Sequence, residues 1–486
     1  MLDARFGLNQ GFDVYDSPFH LRPDPEEEPP EVKRPADAVL SAASAWITAE
    51  PGHPFFAFVH LYDAHRPYSH GSYDGEIAYV DRALGRFIDS LAARKLLDET
   101  LIILTSDHGE SLGEHGEDTH GYFIYESTLR VPLILHWPQG VSQYPSRVDN
   151  PVSLLDVAPT LLDFLGLPAA PTFQGHSVLK SFRAHAPNPE PVYAESMYAR
   201  DHLACSPLRS IRVGRYKYIE APKPELYDLA ADPGETQNRY ASNPSLALDL
   251  KTRLLSFQKG QKRTQPNAVD ADAVSRLRSL GYLGGGPSKS TSGADPKDRL
   301  EEYKRYGRAI RLANSEHLSE AISEFKALLE QDPRNVGMHF YLAVCYFRSG
   351  RLEEAVKALD ATLATAPNYA PAEELLGTIS LLKKDYVRAR QQFVHLASIA
   401  PDNFGAHYNL GILSMREGRM DEAERELRAA ARADSHSAQP HAALGSLYSS
   451  QGDLKRATDE YRQAVAIDPH DETSRKALEL IANVPQ

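Results

Sequence analysis

Cysteine is nearly absent from this chain: Cys205 and Cys345 are the only two in 486 residues. They stand far apart, so they define no disulfide framework, and no zinc-binding spacing exists. Positive charge is also short. Lys and Arg number 53 against 66 Asp and Glu, a net charge of -13. That balance argues against a nucleic-acid binder and leaves no basic face for a membrane surface. No apolar run approaches the roughly 20 residues of a membrane span, and the first residues do not read as a signal peptide. The sequence therefore assigns no compartment; an extracytoplasmic or anchored location stays open if a segment precedes Met1. What is present is ordinary globular material, 42% hydrophobic and 24% charged, in a length sufficient for two or three domains.

The most informative stretch runs from Thr100 to Pro132, TLIILTSDHGESLGEHGEDTHGYFIYESTLRVP. Leu101 to Thr105 has the composition of a short buried strand. Asp107, His108 and Gly109 follow at once, and Glu110, Glu114, His115, Glu117, Asp118 and His120 crowd the next turns. In open α/β sheets, ligands sit just beyond the carboxyl ends of the strands. An oxygen from Asp107 and a nitrogen from His108 suit a divalent cation, and Gly109 would let the chain turn sharply behind them. A solvated acidic loop with incidental histidines is the plain alternative. Phe55 to Leu61 reads as a second buried strand, and it ends in Tyr62-Asp63-Ala64-His65-Arg66-Pro67-Tyr68. His65 thus stands at a strand end too, where a histidine bonded to backbone is the alternative.

Between these strands, Ile77, Val80, Leu84, Phe87, Ile88 and Leu91 lie at helical spacing within 75–97. The three elements 55–61, 75–97 and 101–105 predict a right-handed βαβ unit. Residues 36–49 also read as a helix, 131–137 as a strand, and 153–165 as a helix ended by Gly166. Residues 192–232 read as short strands of a half-exposed antiparallel sheet, with Lys217 and the tyrosines building it. Helices are expected at 246–257 and 273–283. Residues 284–298, GGGPSKSTSGADPKD, have the composition of a linker.

Beyond the linker the chain repeats itself. Alanine recurs at 321, 355, 389, 423 and 457, always 34 apart. A small residue recurs at Ala309, Ala343, Gly377, Gly411 and Gly445, and a bulky apolar one at Phe325, Leu359, Phe393, Leu427 and Tyr461. Pro333, Pro367, Pro401 and Pro469 keep the same beat, with Ser435 in the missing place. This is the tetratricopeptide period. Five repeats are expected from about 302 to 469, capped by a helix near 473–483. Small residues would let paired helices approach, and bulky ones would fill the groove between repeats. The register puts Phe340, Phe347, Tyr408 and Met415 on the concave face, a groove for a protein or peptide ligand with apolar anchors.

SDHGESLGEHG followed by HGYFIYESTLRVPLI resembles the metal- and substrate-binding segment of sulfatases, in the alkaline phosphatase superfamily. RVGRYKYIE followed by ELYDL resembles their smaller C-terminal sheet. The resemblance covers roughly residues 1–283. It implies an α/β domain with a mixed sheet flanked by helices plus a small C-terminal antiparallel sheet (1–283), a linker (284–298), and an all-α tetratricopeptide solenoid (299–486). It implies hydrolysis of sulfuric esters of a small molecule or glycan. Asp107 and His108 would be metal ligands, His65 and His120 would contact the sulfate, and Glu110 and His115 would stand behind them. Calcium is the expected metal, with manganese, magnesium or zinc as alternatives. In that family GLNQGFDVYD-like segments lie inside the domain, so Met1 reads as an internal start. The family nucleophile, a formylglycine made from C/S-x-P-x-R, has no match in residues 1–100. Cys205-Ser206-Pro207-Leu208-Arg209 fits the pattern literally, but it opens a strand rather than a helix and lies downstream of the metal pair. It is disfavoured as the nucleophile, and the chain as given is expected to be inactive. Phosphate- or phosphonate-ester chemistry on the same fold, and a non-catalytic interaction scaffold, are the rival readings.

Overall fold

The computed structural model describes residues 8–16, 34–49, 52–184, 190–260, 293–435 and 437–482. The expected 273–283 helix and most of the 284–298 segment lie outside the described residues. The chain folds as a mixed α/β N-terminal region with small antiparallel sheets, followed by a helical C-terminal region.

Helices α1 (Ala36–Ala49) and α2 (Tyr73–Ala93) form where the apolar spacing placed them. Both starts are satisfied by side chains. Asp63 Oδ1 accepts the Ala36 N–H at 3.0 Å, and Ser72 Oγ accepts the Gly75 N–H at 3.1 Å. Ala36 and Leu40 pack against Ala83, with Val59 and Leu61 beside them. Strand β1 (Ile102–Thr105) carries the Asp-His-Gly turn at its end. It pairs antiparallel with β2 (Leu133–His136), Ile102 opposite His136 and Thr105 opposite Leu133. This corrects the expected parallel βαβ unit. Among the described residues, 55–61 forms no ladder, and Phe56 and Phe58 are 60% and 64% exposed. Apolar composition marks a segment as strand-like, but a strand exists only against a neighbour that takes its backbone groups.

One helical turn, α3 (Glu126–Leu129), lies between β1 and β2 and backs the site. Gly109 donates to Thr128 O at 2.8 Å, and a Cβ on it would stand 2.5 Å from Ser127 O. The glycine is there for this close backbone approach rather than for the sharp turn expected of it. A capping box of Ser153 and Asp156 starts the next helical segment, which runs into α4 (Val157–Phe164). Helix α5 (Leu179–Ala184) follows.

The second sheet is a meander of β3 (Val192–Ser196), β4 (Leu208–Val213), β5 (Tyr216–Glu220) and β6 (Glu225–Asp228), with α6 (Tyr198–Leu203) between β3 and β4. One row across it, Ile211–Tyr218–Leu226, lies under α7 (Pro244–Gly260). A neighbouring row, Arg212–Lys217–Tyr227, meets residues 125–126 on the other side. Both faces are covered, so this sheet is not the half-exposed one expected. Lys217 is 1% exposed. Its ammonium lies 3.2 Å from Glu126 and 2.9 Å from Glu235, which supplies the paired charge a buried lysine needs.

The helical region begins with α8 (Leu300–Asn314), paired with Leu318–Leu329. Four further pairs follow: Val336–Arg348 with Leu352–Thr365, Ala370–Leu382 with Tyr386–Ile399, Phe404–Arg416 with Met420–Ala433, and Gln439–Ser450 with Leu454–Ile467. Glu472–Ala482 closes the array. The small residues do admit a close approach, but the bulky residue they admit belongs to the same pair. A Cβ at Gly377 would stand 2.7 Å from the Phe393 ring, one at Gly411 2.6 Å from Leu427, and one at Gly445 2.6 Å from Tyr461. The bulky series therefore fills the space inside each repeat, not only the groove between repeats.

The two regions share one apolar core. It runs from Tyr122–Tyr125 through Leu203, Cys205 and Leu208 to Tyr306, Ala309 and onward to Ile379. The 293–298 end of the Gly- and Ser-rich segment is docked into this junction. Ser206 donates to Ala294 O at 2.9 Å, and Asp295, 2% exposed, accepts the Lys223 N–H at 2.8 Å. Among the described residues no helix is long and apolar enough to cross a membrane.

Candidate functional site

The carboxyl end of β1 and the loop after it bring three imidazoles together. The rings of His108 and His120 are 4.0 Å apart, and those of His65 and His120 5.6 Å. His65 arrives from the segment after Leu61 and stacks on Tyr62 at 4.5 Å. Each imidazole is oriented through Nδ1. His65 donates to Arg66 O at 2.6 Å, His108 to Gly109 O at 2.8 Å, and His120 to Glu110 Oε2 at 2.7 Å. Carbonyl and carboxylate oxygens only accept, so Nδ1 carries a proton in each ring. The Glu110 side chain is 6% exposed, and Arg66 Nε stands 3.9 Å from its other oxygen.

Asp107 Oδ1 accepts the His108 N–H at 3.0 Å, which fixes the carboxylate beside its neighbour. Its Oδ2 lies 3.8 Å from His108 Nε2. With Nδ1 of His108 tied to Gly109, Nε2 is the nitrogen that presents a lone pair. One oxygen and one nitrogen at this separation fit a divalent cation, and they account for part of its usual shell of four to eight ligands. Among the described residues, no group of three or more His, Cys, Asp or Glu side chains is arranged to hold a metal.

The expected companions of this pair divide. Glu110 touches the cluster through His120. His115 does not: its ring stacks on Tyr125 at 3.6 Å and donates to Gly234 O at 3.1 Å. Burial there holds its imidazole below the ordinary pKa. The Tyr125 hydroxyl goes on to Glu225 at 2.8 Å, so His115 braces the loop against the small sheet. Cys205 is fully buried where β4 begins, and burial pushes its thiol up to about 12. A reactive cysteine shows the opposite, a lowered pKa and access. Cys345 is likewise buried, its thiol pushed up to about 11.

Two residues with roles here had no assignment from sequence. Arg66 stands next to His65 in the same motif, and that adjacency was the available signal. Glu117 sits in an acidic run and looks solvated, yet it is 1% exposed. Its carboxylate accepts the N–H groups of Tyr122 and Phe123 at 2.8 and 3.1 Å, closing the turn that carries His120. Burial outweighs these bonds and raises its carboxyl to about 7.

An α/β region with an imidazole-lined, acid-flanked site beyond one strand, continuous with an array of helical repeats, is the class this architecture defines. Residues 3–167 match the sulfatase family model, and residues 113–260 match the model described as N-sulphoglucosamine sulphohydrolase, C-terminal. Residues 312–379 and 380–447 match one tetratricopeptide repeat model, and 438–471 another. The N-terminal part of the chain thus carries the sulfatase and sulphohydrolase domain matches, and its C-terminal part the tetratricopeptide repeats. The chain is 39% identical over 189 residues to a choline-sulfatase of Rhizobium meliloti (strain 1021), covering 38% of this chain and 35% of that protein. It is 31% identical over 195 residues to arylsulfatase K of Mus musculus, covering 37% and 34%. The chain thus spans about a third of the length of these curated relatives. Among solved structures it is similar to Ps i-CgsB in complex with k-i-k-neocarrahexaose, with a TM-score of 0.41, 22% identity, and coverage of 51% of this chain and 59% of that one. It is also similar to MamA MSR-1, with a TM-score of 0.31, 22% identity, and coverage of 35% and 98%.

Proposed function

We propose that the N-terminal part forms the anion-facing side of a metal-assisted sulfate-ester hydrolase, and that the repeat array binds a protein or peptide ligand. The observation that carries the first half is the gathering of His65, His108 and His120 beside Asp107 at the end of β1. Asp107 and His108 would hold a divalent cation, of which calcium, manganese, magnesium and zinc are the candidates. When bound, such a cation supplies positive charge against the ester oxygens. His120 is fixed by Glu110 through Nδ1, so a tetrahedral anion would meet it at Nε2. His65 is fixed in the same way by Arg66 O. With Nδ1–H of each ring engaged, Nε2 donates to the anion in the imidazolium form, with both nitrogens protonated, and such prearranged donors act most strongly where water is excluded. The substrate class is a sulfated small molecule or glycan.

Fluorescence titration of the chain with 4-methylumbelliferyl sulfate and with its phosphate analogue, with and without manganese, tests this. Asp107→Ala should remove the manganese dependence. His65→Ala and His120→Ala should each weaken binding of the sulfate about tenfold or more, the loss of one charge-assisted contact. Cys205→Ala should change nothing at the site. Indifference to all three site substitutions would refute the reading. Tighter binding of the phosphate ester would move it to phosphate chemistry.

A further inference from the structure

We propose that Tyr303, on the first helix of the repeat array, is a positioning residue for His120. The proposal rests on the reading that His120 meets the anion, and it concerns what holds that imidazole in place. The loop from Ser111 to Phe123 is closed on itself by Ser111 N–H donating to Thr119 O at 2.8 Å and by the Glu117 carboxylate on Tyr122 and Phe123. Outside itself the loop is held on one side by the small sheet, through His115 on Gly234 O and the Ser196 hydroxyl on Gly121 O, and on the other by the repeat side of the junction. The Thr119 and Tyr303 hydroxyls are 3.1 Å apart across 184 residues of chain. The Tyr303 ring stacks on Tyr122 at 4.1 Å with an interplanar angle of 19°. The Tyr122 hydroxyl donates to Pro296 O at 2.8 Å. Leu300, three residues before Tyr303 and so on the same face of α8, lies against Gly116.

The residues flanking His120 are thus fastened to a helix of the other region: Thr119 by a hydroxyl, Tyr122 by a ring. A small displacement of a positioned group costs much of its effect, because interactions at a site depend on sub-ångström geometry. The ring of Tyr303 would fill this junction equally well as phenylalanine. The hydroxyl has a use beyond packing only through Thr119, and this separates positioning from core filling.

The test uses the full chain labelled with 15N-histidine, with the His120 ring signals assigned by loss in His120→Gln. Tyr303→Phe should move the His120 Nδ1–H signal and speed amide exchange across 119–123 about five- to tenfold, as expected for one lost hydrogen bond. Exchange in the helices from Val336 onward should be unchanged. Thr119→Val should reproduce both effects, Thr119→Ser should restore the parent behaviour, and the double variant Thr119→Val with Tyr303→Phe should add nothing to either single change. A His120 signal and loop exchange in Tyr303→Phe that superimpose on the parent would overturn the proposal. So would an equal acceleration throughout the repeats, the mark of general destabilisation. None of these readouts requires turnover, so failure of the sulfate-ester reading would leave the result interpretable.

Discussion

Replacing Glu117 by glutamine should remove a pH dependence of stability that the parent chain carries. The carboxyl is buried beneath the His120 turn and raised from an ordinary 4.5 to about 7. Desolvation is the largest cause, opposed by the two backbone N–H groups it accepts. An acid whose folded pKa lies above its unfolded value contributes stability that is fully present below the unfolded pKa. That contribution is lost as pH rises through the folded pKa. With each pH unit of difference worth about 1.4 kcal/mol, the parent should lose about 2–3 kcal/mol relative to Glu117→Gln between pH 5 and pH 8. Other titrating groups cancel in this difference, because both proteins share them. Urea unfolding followed by tryptophan fluorescence is the assay, since Trp46 and Trp137, the only two tryptophans, both lie in the α/β region. A gap between parent and variant that stays constant across this range would refute the reasoning. It would mean that the two backbone bonds offset burial in full and that Glu117 is ionised in the fold across this range.

Gly411→Ala should destabilise the array by about 1–3 kcal/mol through overpacking against Leu427, and Leu427→Ala should recover part of the loss in thermal melts by circular dichroism; a neutral Gly411→Ala would show that the pair separates cheaply. Lys217→Met should cost about 3–5 kcal/mol by leaving Glu235 buried without its cation, while Glu126 keeps Arg212, and adding Glu235→Gln should restore part of it, both read by tryptophan fluorescence. Calcium or manganese should raise the melting temperature of the α/β region by no more than about 2 °C, because Asp107 and His108 supply only part of a coordination shell. A large rise abolished by Asp107→Ala would reveal ligands beyond these two.

The repeats were the most legible part of the sequence. A period of 34 fixes small and bulky residues in register, and the structure puts Gly377, Gly411 and Gly445 against Phe393, Leu427 and Tyr461. Helix α2 was legible for the same kind of reason: of the 3.6-residue pattern, Leu91 is buried and Val80, Leu84, Phe87 and Ile88 are half-buried, while Ile77 at its start is exposed. Pairing was not legible. Composition marked 55–61 and 101–105 equally, but among the described residues only the second finds a partner, and that partner is antiparallel. Lys217 was misread because a lysine in an alternating strand ordinarily faces water. Its ion partners come from 91 residues earlier, Glu126, and 18 later, Glu235. In the site, motif position pointed to His65, His108 and His120, and the structure brings their rings together. Nothing local separates the buried Glu117 from its exposed acidic neighbours, and nothing in the site motif points to a tyrosine far along the chain.

The matched small and large side chains within each helix pair bear on how such an array can be lengthened or shuffled in evolution. Gly377, Gly411 and Gly445 face partners of unequal volume, from leucine to tyrosine. A crossover that falls between pairs moves each lock together with its key. A crossover inside a pair can set an alanine against a ring shaped for glycine. The heritable module is therefore the intact hairpin of two helices, and viable duplications should begin and end at the proline-marked joints between hairpins. The first hairpin is the exception, because one flank of α8 is committed to the loop that carries His120.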